Sequence, residues 1–117
     1  MIDPRDDPPA PNGCYILVGH EPVRCQSLRL WGEFMAAADK RRVAETQVGR
    51  FRVSTVFLGL DHGFGLRPLL LFETMIFSDI EDAYDYQERC STWAEAKAMH
   101  REAVAQAREW VKKRRRT

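Results

Sequence analysis

The sequence predicts one α+β domain: a mostly antiparallel sheet of about 5–6 short strands with two helices, the longer helix C-terminal. Three observations carry that expectation. Two apolar runs, Val53–Leu60 and Leu69–Phe77, flank the turn-forming segment HGFGLRP and read as paired strands. Two other segments, Leu28–Arg41 and the one opening at Trp93, repeat apolar residues every three or four positions, the period of a helix. A chain of 117 residues with 44% hydrophobic content can bury one core but hardly two, and strands interspersed with two helices fit the α+β class.

In chain order, residues 1–13 hold Pro4, Pro8, Pro9 and Pro11 with Asp3, Asp6 and Asp7, a composition that cannot offset the entropy of ordering, and read as a flexible leader. The domain proper spans 14–111. Tyr15–Val18 forms a short strand, Gly19-His20-Glu21-Pro22 breaks it, and Val23–Cys25 returns as its hairpin partner. Ser27 caps a helix over Leu28–Arg41 whose stripe is Leu28, Trp31, Met35 and Ala38, widened by Phe34. Val43–Val48 and Phe51–Leu60 flank Gly49-Arg50, where glycine in the first loop position suits a type II′ hairpin. With Leu69–Phe77 they make a three-stranded meander. Ser78–Tyr86 reads as an acidic surface loop and Gln87–Cys90 as a further short strand. Thr92-Trp93-Ala94-Glu95 is a capping box opening the last helix, with Ala96, His100, Ala103, Val104, Ala107 and Val111 on its apolar stripe. Residues 112–117 form a basic tail, its cations suited to the negative end of the helix dipole.

Net charge is only +1, but it is polarised. Residues 78–90 set five acids against Arg89 alone, whereas residues 91–117 set eight bases against three acids. Such asymmetry steers an anionic partner to the basic end or reflects complementarity within the chain. Cysteines 14, 25 and 90 are odd in number and far apart, and the first residues lack the basic and apolar character of a signal peptide, so a reduced protein of the (host) cytoplasm is expected. No apolar stretch approaches the roughly 20 residues needed to span a bilayer, and no membrane association is expected.

The run Leu69–Phe77 is apolar on both faces, Leu69, Leu71, Met75 and Phe77 on one and Leu70, Phe72, Thr74 and Ile76 on the other, so a central strand covered on both sides is expected. Two helices leave one layer to be supplied by another copy of the chain, which implies a homodimer or higher oligomer. Glu73 shares a face with Leu71 and Met75, where an ionised carboxylate needs a partner. Candidate partners are His62, Arg52, Arg89 and His100, among which spacing does not choose. The functional reading is a polar ligand pocket of Asp61, His62, Glu73 and Thr74; the alternative is an ion pair at Glu73 with Asp61 organising its turn.

His100, between Ala96 and Ala103 on the helix stripe, is either a core histidine or a wall of that pocket. Trp93 is an aromatic plug at the helix start or a stacking surface for a purine. Asp61 and His62, as strand neighbours, point to opposite faces, which argues against acid–base chemistry, and no catalytic residue is assigned. Neither C-x-x-C nor H-x-x-x-H spacing exists, so no metal is expected, nor any cofactor. Cys25 and Cys90 have no histidine close in sequence to activate them.

The segments VSTVFLGLDHGFG, LLLFETMIF and ERCSTWAEAKAMH resemble a family of small proteins encoded by phages and prophages, over roughly residues 43–100. The matching elements are Ser54 through His62, Phe72-Glu73-Thr74-Met75, and Ser91-Thr92-Trp93 with Glu95, Ala96 and His100. Cys90 stands where the resemblance shows a tyrosine, so a tyrosine-dependent role does not carry over. The resemblance implies an accessory protein of a mobile element. It leads to a binding protein that blocks host defence by sequestering a nucleotide signal or occupying a defence protein, with Asp61, His62, Glu73, Thr74, Arg89, Trp93 and His100 as ligand-binding residues. A DNA-associated structural or regulatory phage protein using Lys112, Lys113, Arg114, Arg115 and Arg116 on phosphates is the alternative, and a small hydrolase centred on Asp61, His62 and Glu73 a weaker one.

Overall fold

The computed structural model describes residues 7–79 and 86–116, with side chains as far as residue 113. Within them lie six strands in two antiparallel sheets and three helices, the longest C-terminal, an α+β fold. The first sheet is a hairpin of β1 (Tyr15–Val18) and β2 (Glu21–Arg24), joined by the two-residue loop Gly19-His20 with Gly19 at φ +61°. Strand β2 starts two residues earlier than expected because this loop is tighter than a four-residue break. Pro22 fits there because the edge of a two-stranded ribbon asks no amide of it.

Ser27 caps α1 (Leu28–Ala36), its Oγ accepting from Leu30 N at 3.1 Å. The single helix expected over 28–41 is two: Ala37, at φ −88° and ψ 81°, leaves the helical region, and a one-turn α2 (Ala38–Arg41) follows. The helix closes with Ala37 N donating to Phe34 O at 3.1 Å, and the chain reverses there to enter the sheet.

The second sheet has the order β3-β4-β5-β6, formed by Arg42–Val48, Phe51–Phe57, Phe72–Ser78 and Gln87–Cys90. Val48 faces Phe51 across the Gly49-Arg50 loop, and the expected meander gains β6 as a fourth strand. Strand β4 ends three residues before the end of its apolar run, and β5 begins three residues after the start of its own. Leu58 N donates to Leu71 O at 2.7 Å, after which Gly59, at φ +74°, turns its carbonyl to Tyr15 N at 2.9 Å. Leu60 then bridges Cys14, and Asp61 N reaches Gly13 O at 2.8 Å. The end of the run thus pairs with the hairpin rather than with β5, and this ties the two sheets together.

Alternate residues of β4 and β5 are buried: Phe51, Val53, Thr55 and Phe57, with Phe72, Thr74, Ile76 and Ser78. They face α3 (Trp93–Arg116), which approaches through Ala96, Ala103 and Ala107, each fully buried. The opposite face, with Arg52, Ser54, Val56, Glu73, Met75 and Phe77, is half-buried. Strand β5 is central, between β4 and β6, and within one chain only its α3 face is fully covered. The capping box is present: Thr92 Oγ1 accepts from Glu95 N and Glu95 Oε1 from Thr92 N, both at 3.1 Å. The basic run lies on the end of α3, which continues through Arg116.

Of the expected leader, residues 1–6 lie outside the described residues. Residues 7–13 are held by main-chain bonds, Ala10 N to Gln26 O at 2.8 Å and Leu28 N to Pro8 O at 3.0 Å, and Ser27 Oγ donates to Asp7. Most of the expected acidic loop, residues 80–85, also lies outside the described residues.

Candidate functional site

The seven residues singled out from the sequence fall in three places. Thr74 and His100 lie in the core, on the α3 side of the sheet. His100 Nδ1 is 2.8 Å from Thr55 Oγ1, and its Nε2 is 2.8 Å from Thr46 Oγ1. Thr55 Oγ1 in turn contacts Thr74 Oγ1. This polar layer divides two apolar clusters, one around Phe51, Val53, Ile76 and Val104, the other around Phe57, Leu71, Phe72 and Ala96. Burial pushes the His100 imidazole below its usual range, helped by the charge of Lys97, and a neutral ring supplies the one donor and one acceptor that two hydroxyls can satisfy. His100 is a core histidine.

Glu73 lies across the sheet from that layer. Its Oε2 accepts from Arg89 Nε at 2.8 Å and from Gln87 Nε2 at 2.6 Å, both from β6. The carboxylate side chain is only 12% exposed, so Arg89 supplies the counter-charge that such burial requires. On the same face Arg52 pairs with Glu45 at 3.2 Å and lies over the Phe77 ring at 4.4 Å from its centroid.

Asp61 builds the turn. Its Oδ1 accepts from Gly63 N at 2.8 Å and its Oδ2 from Gly65 N at 2.7 Å, while Leu66 N closes onto Gly63 O at 3.1 Å. Both carboxylate oxygens are committed to the loop, and His62 is exposed beside it. A small cleft of about 290 Å³ brings Asp61, His62 and Arg89 together with Arg67 and Leu70. Glu73 joins this group through Arg89. Because Asp61 and Glu73 are each held by other donors, no acid–base set is assembled from Asp61, His62 and Glu73.

The larger cleft, about 890 Å³, opens between the β1–β2 hairpin, the Arg67–Leu71 segment and the start of α3. Trp93 is its principal wall. The His20 imidazole lies flat on the Trp93 indole, centroids 3.9 Å apart and planes 2° from parallel, and Phe72 meets the same indole edge-on at 6.3 Å. Tyr15, Pro22, Leu69 and Leu71 add apolar wall; Glu21, Arg67, Ser91 and Thr92 add polar groups. Arg67 and Pro68 border both clefts.

Sequence reasoning missed His20, Arg67, Tyr15, Thr46 and Thr55. Thr55 and Thr74 did leave a signal, since each sits at a buried position in an alternating strand and so needs a partner. The stack of His20 on Trp93 left none, the two being 73 residues apart on elements whose docking only the fold sets. Cys14 and Cys25 are buried free thiols, and burial, with the Glu95 charge adding, pushes the Cys90 thiol up to about 11.

Among the described residues no His, Cys, Asp and Glu side chains gather in a group of three able to hold a metal, and no helix is long and apolar enough to cross a membrane. No protein-family model, no curated protein and no solved structure matches the chain.

Proposed function

We propose that the protein acts by binding, as a phage or prophage accessory protein that sequesters a nucleotide signal in the cleft beside Trp93. The observation that carries this reading is the parallel stack of His20 on Trp93 inside an open cleft bordered by Arg67. A histidine ring lying flat on an indole occupies the place a flat heteroaromatic base takes on an aromatic wall. His20 sits at the tip of a two-residue loop next to Gly19, so a base displaces it by moving the loop alone. Arg67 is exposed and offers a planar guanidinium to phosphate oxygens. The cleft volume lies within the roughly 300–1,000 Å³ of small-molecule sites. The resemblance to phage-encoded proteins supplies the context in which a sequestering protein is useful.

The test is titration with linear and cyclic nucleotides up to about 1 mM, followed by calorimetry and thermal melting. Binding at 100 times Kd stabilises the fold by about 2.7 kcal/mol, a readily measured rise in Tm. Arg67→Ala, at an exposed position, should weaken the rise at least tenfold in ligand concentration without changing the unliganded Tm. Absence of any shift, or a shift indifferent to Arg67→Ala and Trp93→Leu, overturns the reading.

A DNA-associated role is the second reading, favoured by one observation: α3 runs on through Arg116, so the basic run continues a helix that begins against the core. It is tested by salt dependence. Duplex DNA binding that weakens steeply with salt, and is lost when Lys112–Arg116 are neutralised, supports it.

A further inference from the structure

Two of the three cysteines stand at the base of the β1–β2 hairpin, one position beyond its last register pair. Tyr15 lies opposite Arg24, and Cys25 N donates to Cys14 O at 2.8 Å, so Cys14 and Cys25 face one another across the ribbon. Residues directly opposite in an antiparallel pair project from the same face, and both of these side chains are inward, Cys14 1% and Cys25 6% exposed. Opposed antiparallel positions hold their Cα atoms about 4.5–5.5 Å apart, inside the span of about 4.4–6.8 Å that a disulfide bridges. Cys90 is not so placed, since it lies on β6 in the other sheet.

We propose that Cys14 and Cys25 are a thiol–disulfide pair that latches the hairpin: two thiols in the reduced protein, one disulfide when a low-molecular-weight disulfide such as oxidised glutathione is present. The Cys25 thiolate, the more exposed of the two, attacks one sulfur of the oxidant and expels a first glutathione thiolate. The Cys14 thiolate then attacks Cys25 Sγ in the mixed disulfide and expels the second. The chain gives up two electrons and the two thiol protons, and one glutathione disulfide becomes two glutathiones.

Burial sets when this happens. It pushes the Cys14 thiol up, with Cys25 adding, and Cys25 Sγ donates to Ser27 O at 3.3 Å, so both groups are quiet while the hairpin is closed. A two-stranded ribbon opens locally more readily than a four-stranded sheet packed on a helix. Opening exposes both sulfurs, and reclosing sets them opposite each other again, which drives the mixed disulfide on to the internal one. The bridge closes residues 14–25 into a ring with His20 at its tip and Glu21 and Pro22 on the wall of the Trp93 cleft, so oxidation stiffens that wall. The chemistry of the pair does not depend on the nucleotide reading, and either can fail without the other.

The test equilibrates the full chain in glutathione buffers from reducing to oxidising, alkylates it in denaturant and digests it with trypsin, which cuts after Arg24 and so separates the two cysteines. In the oxidising buffers the peptide ending at Arg24 should be joined to the peptide Cys25–Arg29, the intact chain should be lighter by two hydrogen atoms, Cys90 should be alkylated throughout, and dithiothreitol should reverse the change. Amide hydrogen exchange in β1 and β2 should slow roughly tenfold on oxidation. Cys25→Ala and Cys14→Ala should each abolish both effects; the peptide map of the unsubstituted chain decides the matter should either fail to fold. Free thiols at 14 and 25 in the most oxidising buffer, a lasting mixed disulfide with glutathione, a bridge to Cys90, or hairpin exchange indifferent to the bridge overturns the proposal.

Discussion

The imidazole of His100 on α3 bridges Thr46 on β3 and Thr55 on β4, 2.8 Å from each hydroxyl, and so ties the helix to two strands through the one polar layer between the two core clusters. The first prediction concerns acid. Burial depresses the His100 pKa from the 6.5 of a free imidazole, so on acidification the unfolded chain takes up this proton before the folded one. Its contribution is intact above the unfolded pKa and is lost as pH falls from there toward the folded value. Tm should therefore drop between pH 7 and pH 5. His100→Gln, which keeps a donor and an acceptor, should be less stable at pH 8 but show a shallower drop; equal slopes for the two proteins exclude the assignment.

The hydroxyl chain makes an ordered prediction. Thr55→Val removes the partner of His100 Nδ1 and of Thr74 together, leaving buried polar atoms unpaired at a cost of about 1–3 kcal/mol. Thr74→Val removes only the terminal hydroxyl and should cost about 1 kcal/mol. Urea unfolding of the two variants checks the order, and a larger loss for Thr74→Val contradicts the geometry.

Gly59 and Met35 form a steric pair. A Cβ on Gly59 would run into Met35 Sδ, and its φ of +74° disfavours any other residue. Gly59→Ala should lose about 1–2 kcal/mol from the backbone and a smaller amount from overpacking, since the far end of the half-buried Met35 side chain can shift. Met35→Ala in the same chain should recover the overpacking part only. A double-mutant cycle without coupling would show that the two do not meet.

Cys90, with its thiol pushed up to about 11, should carry roughly 100-fold less thiolate than a cysteine at 9.0. Alkylation followed by peptide mapping should find it slow at pH 8 and accelerating steeply toward pH 10. Glu95→Gln, which removes the nearby charge, should speed it modestly. Rapid labelling at pH 7 would contradict this environment.

Glu73 and Arg89 yield the last prediction. Arg89→Ala leaves a carboxylate that is 12% exposed with Gln87 alone, and should destabilise by about 1–3 kcal/mol. Glu73→Gln in the Arg89→Ala background should restore part of the loss, because the uncompensated charge is gone. Guanidinium unfolding of the three variants measures it.

Much of this architecture is written locally. The capping box at Thr92–Glu95, the glycine at 49 in a two-residue loop, the alternation in Phe51–Phe57 and the three-to-four spacing after Trp93 each need only neighbours a few residues away, and each forms where the residues place it. The turn at Asp61 was equally local, its carboxylate bonding amides two and four residues on, whereas the choice of Arg89 as the partner of Glu73 waited on the pairing of β5 with β6. The tertiary structure alone decided where strands ended and which side chains met. Gly59 turned the end of an apolar run from β5 to the hairpin, and the order of the strands put Thr74 against Thr55 of β4. His20 reached Trp93 and Thr46 reached His100 across long separations. Hydrogen bonds within a turn are set by its own residues, but a contact between elements depends on register, and a one-residue slip moves every side chain of a strand to the other face.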